Sequence, residues 1–492
     1  METYDIHGKP YHRTLMIILL LVGTFAGVLN QTSLGTAIPT LMENFKVPLS
    51  TTQQATTWFL LANGIMIPVS AFLATRFSTK RLYMTAYAIL VGGLLLAALA
   101  PTAHWGVFLT ARIVQACAVG ITMPLMQVVM INVFPAEQRG AAMGINGLVV
   151  GLAPAVGPTL SGWILKKDFS VLGIYLGWRA IFILPLVILL LVLSLSPFML
   201  RDVIPQQAVK LDSISLGLSI LGLGAFLWGF TNVAAYGWLD MVYVILPILV
   251  GIGGIYLFSK RQLQLEKPFL DIRVFRNKQF TLTTIAIALT MMAMIGVEMM
   301  LPLYLQNVRG LSPLNSGMVL LPGALIMGLI SPVSGRIYDK IGARYLALLG
   351  FTILAAATLP FVFLNENTSR FLITVLYAIR MFGISMILMP LTASAMNALP
   401  SHESAHGTAA NNTVRQISSS IVVAVLSSVT QNIISSKQPP KMLLSIHPEQ
   451  YAKQLLEANL NGFHASFFLG FMFAVVGFIV VIFLHKGKVI EK

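Results

Sequence analysis

Apolar runs of about 20 residues recur along the whole chain, and short polar or charged segments separate them. A helix rises about 1.5 Å per residue, so a run of this length crosses the roughly 30 Å hydrocarbon core of a bilayer. The pattern therefore predicts about fourteen membrane-spanning helices. We expect them over residues 14–38, 53–75, 82–101, 105–130, 140–165, 179–199, 213–232, 241–259, 279–306, 315–338, 344–364, 371–396, 407–430 and 463–485.

Composition places the chain among polytopic membrane proteins of the all-α class. Hydrophobic residues make up 57% of its 492 residues and charged residues only 10%, whereas soluble domains hold about 25% charged residues. The first apolar run has no small-residue cleavage site, so we expect a retained anchor rather than a signal peptide. Cys117 is the only cysteine, which excludes an intramolecular disulfide.

The net charge of +15 is compatible with nucleic-acid binding or with membrane topology. If the N-terminus is cytoplasmic, the inner loops carry more Lys and Arg than the outer loops, as the positive-inside rule requires. The densest basic cluster, at 260–278, and the basic residues at 485–488 both fall on that side. The distribution favours membrane topology as the reason for the positive charge and predicts that both termini are cytoplasmic. It gives no reason to expect a nucleic-acid partner.

Two loop segments resemble each other. Residues 71–80, AFLATRFSTK, end the second predicted span and are called the first loop; residues 335–344, GRIYDKIGAR, end the tenth and are called the second loop. After each copy, at similar spacing, come an intramembrane arginine, a proline and a glycine that opens another span. These are Arg112, Pro124 and Gly140 in the first half, and Arg380, Pro390 and Gly407 in the second.

The repeat divides the chain into three parts. We expect an N-terminal six-helix bundle over 1–200, a two-helix membrane insert over 201–265 and a C-terminal six-helix bundle over 266–492. Repeated halves of this kind are typical of transporters that rock about a site near the membrane midplane. The insert has few polar groups, so we expect it to face lipid rather than to line a pathway.

The fifth predicted span contains the segment APAVGPTLSG, residues 153–162. Proline inside a helix removes a backbone hydrogen bond and bends the helix. Small residues spaced by four, here Ala153, Gly157 and Ser161, form a stripe on which another helix can pack closely. The segment is either an ordinary membrane helix or a rocking seam, for which the candidate residues are Gly157, Pro158, Ser161 and Gly162.

These motifs together resemble those of the major facilitator superfamily, and in particular its fourteen-helix drug:proton antiporter subfamily. The second loop resembles the superfamily's cytoplasmic loop signature, Arg112-x-x-Gln115 its fourth-helix motif, and residues 157–162 its antiporter-associated fifth-helix motif. The chain is also similar to lincomycin-resistance type multidrug efflux proteins of Gram-positive bacteria. The similar strings are LNQT at 29–32, NGIMIP at 63–68, PLMQ at 124–127, RGAAMG at 139–144, RMFGIS at 380–385 and NNTVRQ at 411–416.

The resemblance implies two six-helix bundles with two additional central helices, and proton-coupled export without a cofactor or metal. Two positions depart from the wider subfamily, whose members often carry an acid where this chain has Asn30 and Thr75. The second loop keeps Asp339, and a carboxylate near a helix N-terminus is stabilised by about 0.3–1 kcal/mol. With Arg336 and Arg344 nearby, Asp339 is expected to form a cytoplasmic gate latch; the alternative is a plain positive-inside loop.

Three ionisable residues are identified inside the predicted spans, namely Glu298, Arg112 and Arg380. Such groups are costly in a membrane and usually face the bundle interior or a wet cavity. Glu298 is the only acid among them, which makes it the candidate proton carrier; the alternatives are a boundary residue that reaches outer water or a ligand for a cationic substrate. The arginines are expected to brace their bundles through carbonyls and polar neighbours, or else to handle protons.

Neutral amides at membrane depth are candidates for the wall of a substrate cavity or for interhelical contacts, which contribute about 0.6 kcal/mol each. The predicted cavity residues are Asn30, Gln31, Asn63, Gln115, Gln127, Asn411, Asn412 and Gln416. An apolar cavity with a few amides and one carboxylate suits a small amphiphilic substrate.

The expected function is proton-coupled export of amphiphilic or lipophilic compounds, such as lincosamides or organic cations, by a monomer in a bacterial plasma membrane. A flippase or exporter of a lipid-like or signalling metabolite is the alternative on the same fold. A non-transporting membrane sensor fits less well, because the gates are duplicated. The sequence shows no G-x-x-x-x-G-K-[ST] motif and no His/Cys metal set, so neither ATP hydrolysis nor a metal is expected, and the chain is not expected to be an enzyme.

Overall fold

A computed structural model describes residues 3–47, 49–166, 170–171, 174–206, 212–266 and 268–485, and within these ranges the chain is almost entirely helical. The helices in chain order are α1 (Arg13–Thr32), α2 (Ile38–Phe45), α3 (Leu49–Arg76), α4 (Thr79–Ala98), α5 (Trp105–Val133), α6 (Arg139–Lys166), α7 (Ala180–Met199), α8 (Ser213–Tyr236), α9 (Leu246–Gln264), α10 (Lys278–Asn307), α11 (Pro313–Ile341), α12 (Ala343–Thr358), α13 (Arg370–Asn397), α14 (Ser404–Lys437), α15 (Lys441–Ile446) and α16 (Pro448–Ile482).

Strands are few and short in the described ranges. β1 (Thr3–Tyr4) pairs antiparallel with β2 (Pro10–Tyr11), and β3 (Ser170–Val171) pairs with β4 (Ile174–Tyr175). Both hairpins lie outside the long helices, so the all-α prediction is confirmed.

The predicted spans correspond to long helices. Among the described residues, 13 helices are long and apolar enough to cross a membrane, and α6 has the length of a further one. The largest boundary difference is in α16, which begins at Pro448 although the apolar run begins at 463. Its first turns carry Glu449, Lys453 and Glu457, so hydropathy marks only the apolar part of a longer helix.

The long helices form two bundles of six. Helices α1, α3, α4, α5, α6 and α7 pack together, and so do α10, α11, α12, α13, α14 and α16. The bundles meet mainly where α6 packs on α11 and where α3 and α5 pack on α14. We call the end at which α1 begins the inner end and the opposite end the outer end; the charge distribution predicts that the inner end faces the cytoplasm.

The two additional helices pack beside the joint between the bundles. α8 contacts α3 and α14, one helix from each bundle, and α9 packs on α8 and is largely exposed. At the inner end, Arg261 Nε donates to Asp212 Oδ2 at 2.7 Å, and this hydrogen bond lowers the pKa of the Asp212 carboxyl to about 2. The prediction of a lipid-facing insert therefore describes α9 well, whereas α8 covers the α3–α14 joint.

Candidate functional site

A cavity of about 300 Å³ lies between the bundles toward their outer end, and we call it the outer cavity. Its wall comes from α1, α3 and α5 of the first bundle and from α10 of the second. It brings together two of the predicted intramembrane charged residues, Arg112 and Glu298. The remaining lining residues are Gln31, Thr32, Gly35, Thr56, Phe59 and Leu60.

A second cavity, of about 130 Å³, adjoins the first because both are lined by Gln31; we call it the central cavity. Predicted amides from both bundles form part of its wall, namely Gln31, Asn63, Asn412 and Gln416. Met123, Met291 and other apolar side chains line the rest, and flexible thioethers suit binding surfaces that adapt to several ligands. The other lining residues are Ile67, Pro124, Arg415 and Ser419.

Glu298 projects from α10 into the outer cavity and is partly exposed. Within the described ranges its carboxylate makes no ion pair, and Arg380 is the cation with a Coulombic influence on it. A carboxyl group that faces a cavity between two bundles, without a fixed partner, is free to change protonation state or to bind a ligand.

Arg112 is fully buried in α5 and braces the first bundle. Its Nη1 donates to Gln115 Oε1 at 2.6 Å and to Asn30 Oδ1 at 3.2 Å, and the guanidinium lies 4.4 Å from the centre of the Phe59 ring. Asn30 Nδ2 donates to Gln115 Oε1 at 3.0 Å, and Gln115 Nε2 donates to the Gly93 carbonyl at 2.8 Å. These contacts join α1, α4 and α5 of the first bundle.

Arg380 is placed in the same way in the second bundle but lines neither cavity. Its Nε donates to Thr358 Oγ1 at 3.1 Å, and its Nη2 donates to the carbonyls of Ala293 and Met294 on α10. Because the same helix carries Glu298, Arg380 fixes the backbone one turn before that carboxylate.

Four predicted cavity residues lie elsewhere. Asn30 and Gln115 belong to the Arg112 network instead of the wall of either cavity. Gln127 Oε1 accepts from Asn412 Nδ2 at 2.9 Å and so joins α5 to α14 behind the central cavity. Asn411 is buried, and its Oδ1 has no hydrogen-bond partner among the described atoms.

The structure adds one charged residue that the sequence analysis did not identify. Arg415 lies inside α14, within a segment long and apolar enough to cross a membrane, and lines the central cavity. The statement that the intramembrane charges are Glu298, Arg112 and Arg380 is therefore wrong. The signal was available, since Arg415 falls within the predicted span 407–430.

At the inner end, the second loop docks on the first bundle. Asp339 accepts hydrogen bonds from the backbone N–H groups of Gly140 at 2.9 Å and Ala141 at 3.0 Å. These residues begin α6, where unpaired N–H groups favour an anion. No ion pair joins Asp339 to Arg336 or Arg344 in the described part of the chain, so the carboxylate's partners are main-chain donors instead of the neighbouring arginines.

Three further side chains extend this contact. Arg139 Nη1 donates to Asn397 Oδ1 at 3.0 Å, and Asn397 Nδ2 donates to the Tyr338 hydroxyl at 3.0 Å. Arg139 belongs to α6 and the other two to α11 and α13, so the network also crosses between the bundles. Nothing in the sequence pattern pointed to these residues, because their partners are far apart in the chain.

The first loop has no equivalent contact. Thr75, which stands in the place of Asp339, donates from Oγ1 to the Phe72 carbonyl of its own helix at 2.9 Å. The backbone N–H of Lys80 donates to Asp202 Oδ1 at 2.9 Å, and Lys80 Nζ donates to the Pro197 carbonyl. The hydrogen bonds of the first loop are thus made to the end of α7, within its own bundle, whereas Phe72 stacks on Phe269 in an apolar cluster that includes Ala409 of α14.

Glycines allow α6 to pack closely on α11. A Cβ added at Gly335 would overlap the Gly140 carbonyl oxygen, and one at Gly144 would overlap the Ser331 carbonyl oxygen. Further along, a Cβ at Gly151 would lie 3.0 Å from the backbone N of Gly328. Side chains at these positions would force the bundles apart, so the glycines close the inner end.

The predicted rocking segment packs on α1. Thr32 Oγ1 donates to the Ala153 carbonyl at 3.2 Å, and a Cβ added at Gly157 would overlap that hydroxyl. Ser161 is buried, whereas a Cβ at Gly162 would meet open space. The side chain of Pro158 lies outside the described residues.

Comparison with known proteins agrees with this architecture. The family model described as Major Facilitator Superfamily matches residues 20–423. The chain is 42% identical to the uncharacterized MFS-type transporter YcnB of Bacillus subtilis (strain 168), covering 98% of both chains. It is 35% identical to the lincomycin resistance protein LmrB of Listeria monocytogenes serovar 1/2a (strain ATCC BAA-679 / EGD-e), covering 99% of this chain and 100% of the relative.

A solved structure shares the fold. The proton:xylose symporter XylE superimposes with a TM-score of 0.61 at 13% identity, covering 97% of this chain and 98% of that chain. At this identity the likeness concerns the fold alone.

Proposed function

Because the chain belongs to the major facilitator superfamily and is a membrane transporter, we propose that it is a proton-coupled exporter of small amphiphilic compounds. Lincosamides and organic cations are the first substrates to test, since relatives at 35% identity are named for lincomycin resistance. We further infer that it works as a monomer in a bacterial plasma membrane, with both termini in the cytoplasm.

The central cavity supports the substrate class. Amides from both bundles can orient a polar group, while methionines and other apolar side chains accept an apolar body of variable shape. Because the wall comes from both bundles, a ligand in the cavity contacts surfaces that separate when the bundles rock. Binding and rocking are coupled through these contacts.

The inner gate supports alternating access. In this conformation the α6–α11 glycines and the Asp339 contact hold the inner end closed. A hydrogen bond to a charged group contributes about 1.5–3 kcal/mol, so the Asp339 contact is strong enough to bias the gate and weak enough to break in each cycle. Opening the inner end requires both N–H groups to leave the carboxylate.

Glu298 carries the proton-coupling proposal, because it is an unpaired carboxylate facing a cavity between the bundles. Protonation from the outside would neutralise it and release a substrate held by charge or by polar contacts. Loss of the proton on the inward-facing side would restore the binding form. Arg380, which holds the same helix, would keep the carboxylate in place during this cycle.

Reconstitution into proteoliposomes tests the proposal. An imposed pH gradient should drive uphill transport of a lincosamide or a lipophilic cation by the wild-type protein. Glu298→Gln mimics the neutral state and should abolish uphill transport, while Glu298→Asp should retain part of it with a displaced pH dependence. Glu366→Gln removes an exposed acid of an outer loop and serves as the matched control. Wild-type coupling in Glu298→Gln would exclude Glu298 as the carrier.

A further inference from the structure

Arg415 differs from the other two arginines inside the bundles. Arg112 and Arg380 are fully buried and are held by side-chain and carbonyl oxygens. Arg415 is instead partly exposed and lines the central cavity, where its Nη1 lies 3.5 Å from Asn412 Oδ1 and its Nη2 lies 3.7 Å from Met291 Sδ. Both contacts are long, and neither partner carries a negative charge.

The described residues supply no acid for this guanidinium. Their ion pairs are His7–Asp202, Arg261–Asp212, Arg273–Asp271 and His402–Glu403, all located at the inner end. A guanidinium offers five N–H donors in a fixed planar arrangement that matches two oxygens of one carboxylate. A charge away from bulk water is costly unless it is paired. An anionic ligand in the cavity would therefore be stabilised by the Arg415 guanidinium.

The surroundings show how such a partner would lie. Gln31, Asn63 and Gln416 provide amide groups on the wall of the same cavity, and Ile67 and Met123 provide apolar surface there. An oxyanion on Arg415 would therefore continue into an apolar body packed against the methionines.

We propose that Arg415 binds the carboxylate-type head group of the transported amphiphile. The inference rests on the proposed function in one respect, that the central cavity is the substrate site. A cationic group elsewhere on the same molecule remains compatible with it, since Glu298 lies in the adjoining outer cavity that shares Gln31. A purely cationic amphiphile would lack the Arg415 contact.

Three fluorescent probes with one ring system separate the charge of the head group from the apolar body: dansylglycine is anionic, dansylglycinamide is neutral and dansylcadaverine is cationic. Binding is measured by dansyl fluorescence with the full chain in phosphatidylcholine nanodiscs, so that anionic lipid head groups do not compete. We expect the wild-type protein to bind dansylglycine about tenfold more tightly than dansylglycinamide, a difference of about 1.4 kcal/mol, because the carboxylate accepts a charge-assisted bond that the neutral amide does not.

Variants test whether the preference for dansylglycine depends on Arg415. Arg415→Gln should bring dansylglycine down to the affinity of dansylglycinamide without changing the latter, and Arg415→Lys should retain part of the preference. Arg370→Gln removes an exposed arginine at the start of α13 and should leave all three affinities unchanged. Equal loss of all three probes in Arg415→Gln, or no preference for the carboxylate in the wild type, would overturn the proposal.

The same samples distinguish this proposal from the proposed function. Counterflow and pH-driven transport are measured in proteoliposomes with the same probes. Carboxylate preference without pH-driven transport would support the head-group assignment and count against proton-coupled export. Transport of dansylcadaverine with higher affinity than dansylglycine would leave export standing and overturn the assignment.

Discussion

The first and second loops derive from the same repeated segment but attach to different partners. The first loop is bound to Asp202 and Pro197 at the end of α7, inside its own bundle. The second loop places Asp339 on the N-terminus of α6, in the opposite bundle. The hydrogen bonds of the first loop therefore stay inside one bundle, whereas the Asp339 carboxylate makes the second loop a polar link between the two bundles.

The difference follows from helix-end chemistry. The N-terminal N–H groups of a helix lack intrahelical partners and favour an anion. Thr75 offers only a hydroxyl, and its proton is donated to the Phe72 carbonyl. The second loop therefore presents an acid to free N–H groups, whereas the first loop presents a hydroxyl that is bonded to its own helix.

A methyl group at the tightest contact should have the largest effect. Gly335→Ala would push the Gly140 carbonyl away, and overpacking of this kind costs about 1–3 kcal/mol. We expect transport to fall about 30-fold or more while the protein remains in the membrane. Ser331→Cys, in a Cys117→Ala background, reports opening through an impermeant maleimide, because Ser331 is buried in the α6–α11 contact. Its labelling from the inner side should rise.

The matched change in the first loop is Ala71→Gly, which creates space instead of removing it. Transport and Ser331→Cys labelling should change less than in Gly335→Ala. A similar loss in both variants would show that local helix stability, and not the contact between bundles, determines the result.

Loss of the negative charge at the second loop should have the second-largest effect on transport. Asp339→Asn keeps one acceptor but removes the anion that two N–H groups share, so the closed inner end should lose about 1–2 kcal/mol. We expect transport to fall about tenfold and inner-side labelling of Ser331→Cys to increase. Unchanged labelling would exclude Asp339 as a latch.

Adding an acid to the first loop should have a smaller effect, and it should change inner-side labelling of Ser331→Cys in the opposite direction. Thr75→Asp places a carboxylate near the end of α3, a helix that packs on α14 of the opposite bundle; by analogy with Asp339 we expect it to bind N–H groups at the start of α14, a gain of about 0.3–1 kcal/mol. Inner-side labelling should decrease, and transport should fall about threefold because opening is slower. Wild-type rates in both Asp339→Asn and Thr75→Asp would show that neither loop gates transport.

The smallest effect is expected where the first loop is attached. Asp202→Asn weakens a contact within one bundle, so transport should stay within about twofold of the wild type and Ser331→Cys labelling should not change. Increased labelling would mean that this attachment also holds the bundles together.

The sequence predicted the fold well because a run of about 20 apolar residues marks a membrane-spanning helix whether its side chains face lipid or other helices. It predicted the sites less well because neighbours in the chain face different ways in a helix. Gln31 lines both cavities, whereas the preceding residue, Asn30, points into the Arg112 network. Arg415 was missed among the polar residues of its own predicted span. The partner of Asp339 is a backbone nearly 200 residues away, which no local pattern encodes.

The Asp339 contact has a consequence for how this gate can change over generations. Its donors are main-chain groups of residues 140 and 141, and only proline would delete an N–H there. A side chain at residue 140 would overlap the Asp339 carboxylate and the Gly335 carbonyl, so glycine is required there, whereas substitutions at residue 141 leave the donor intact. Inherited changes in this latch would then be concentrated in the codons for residues 140 and 339.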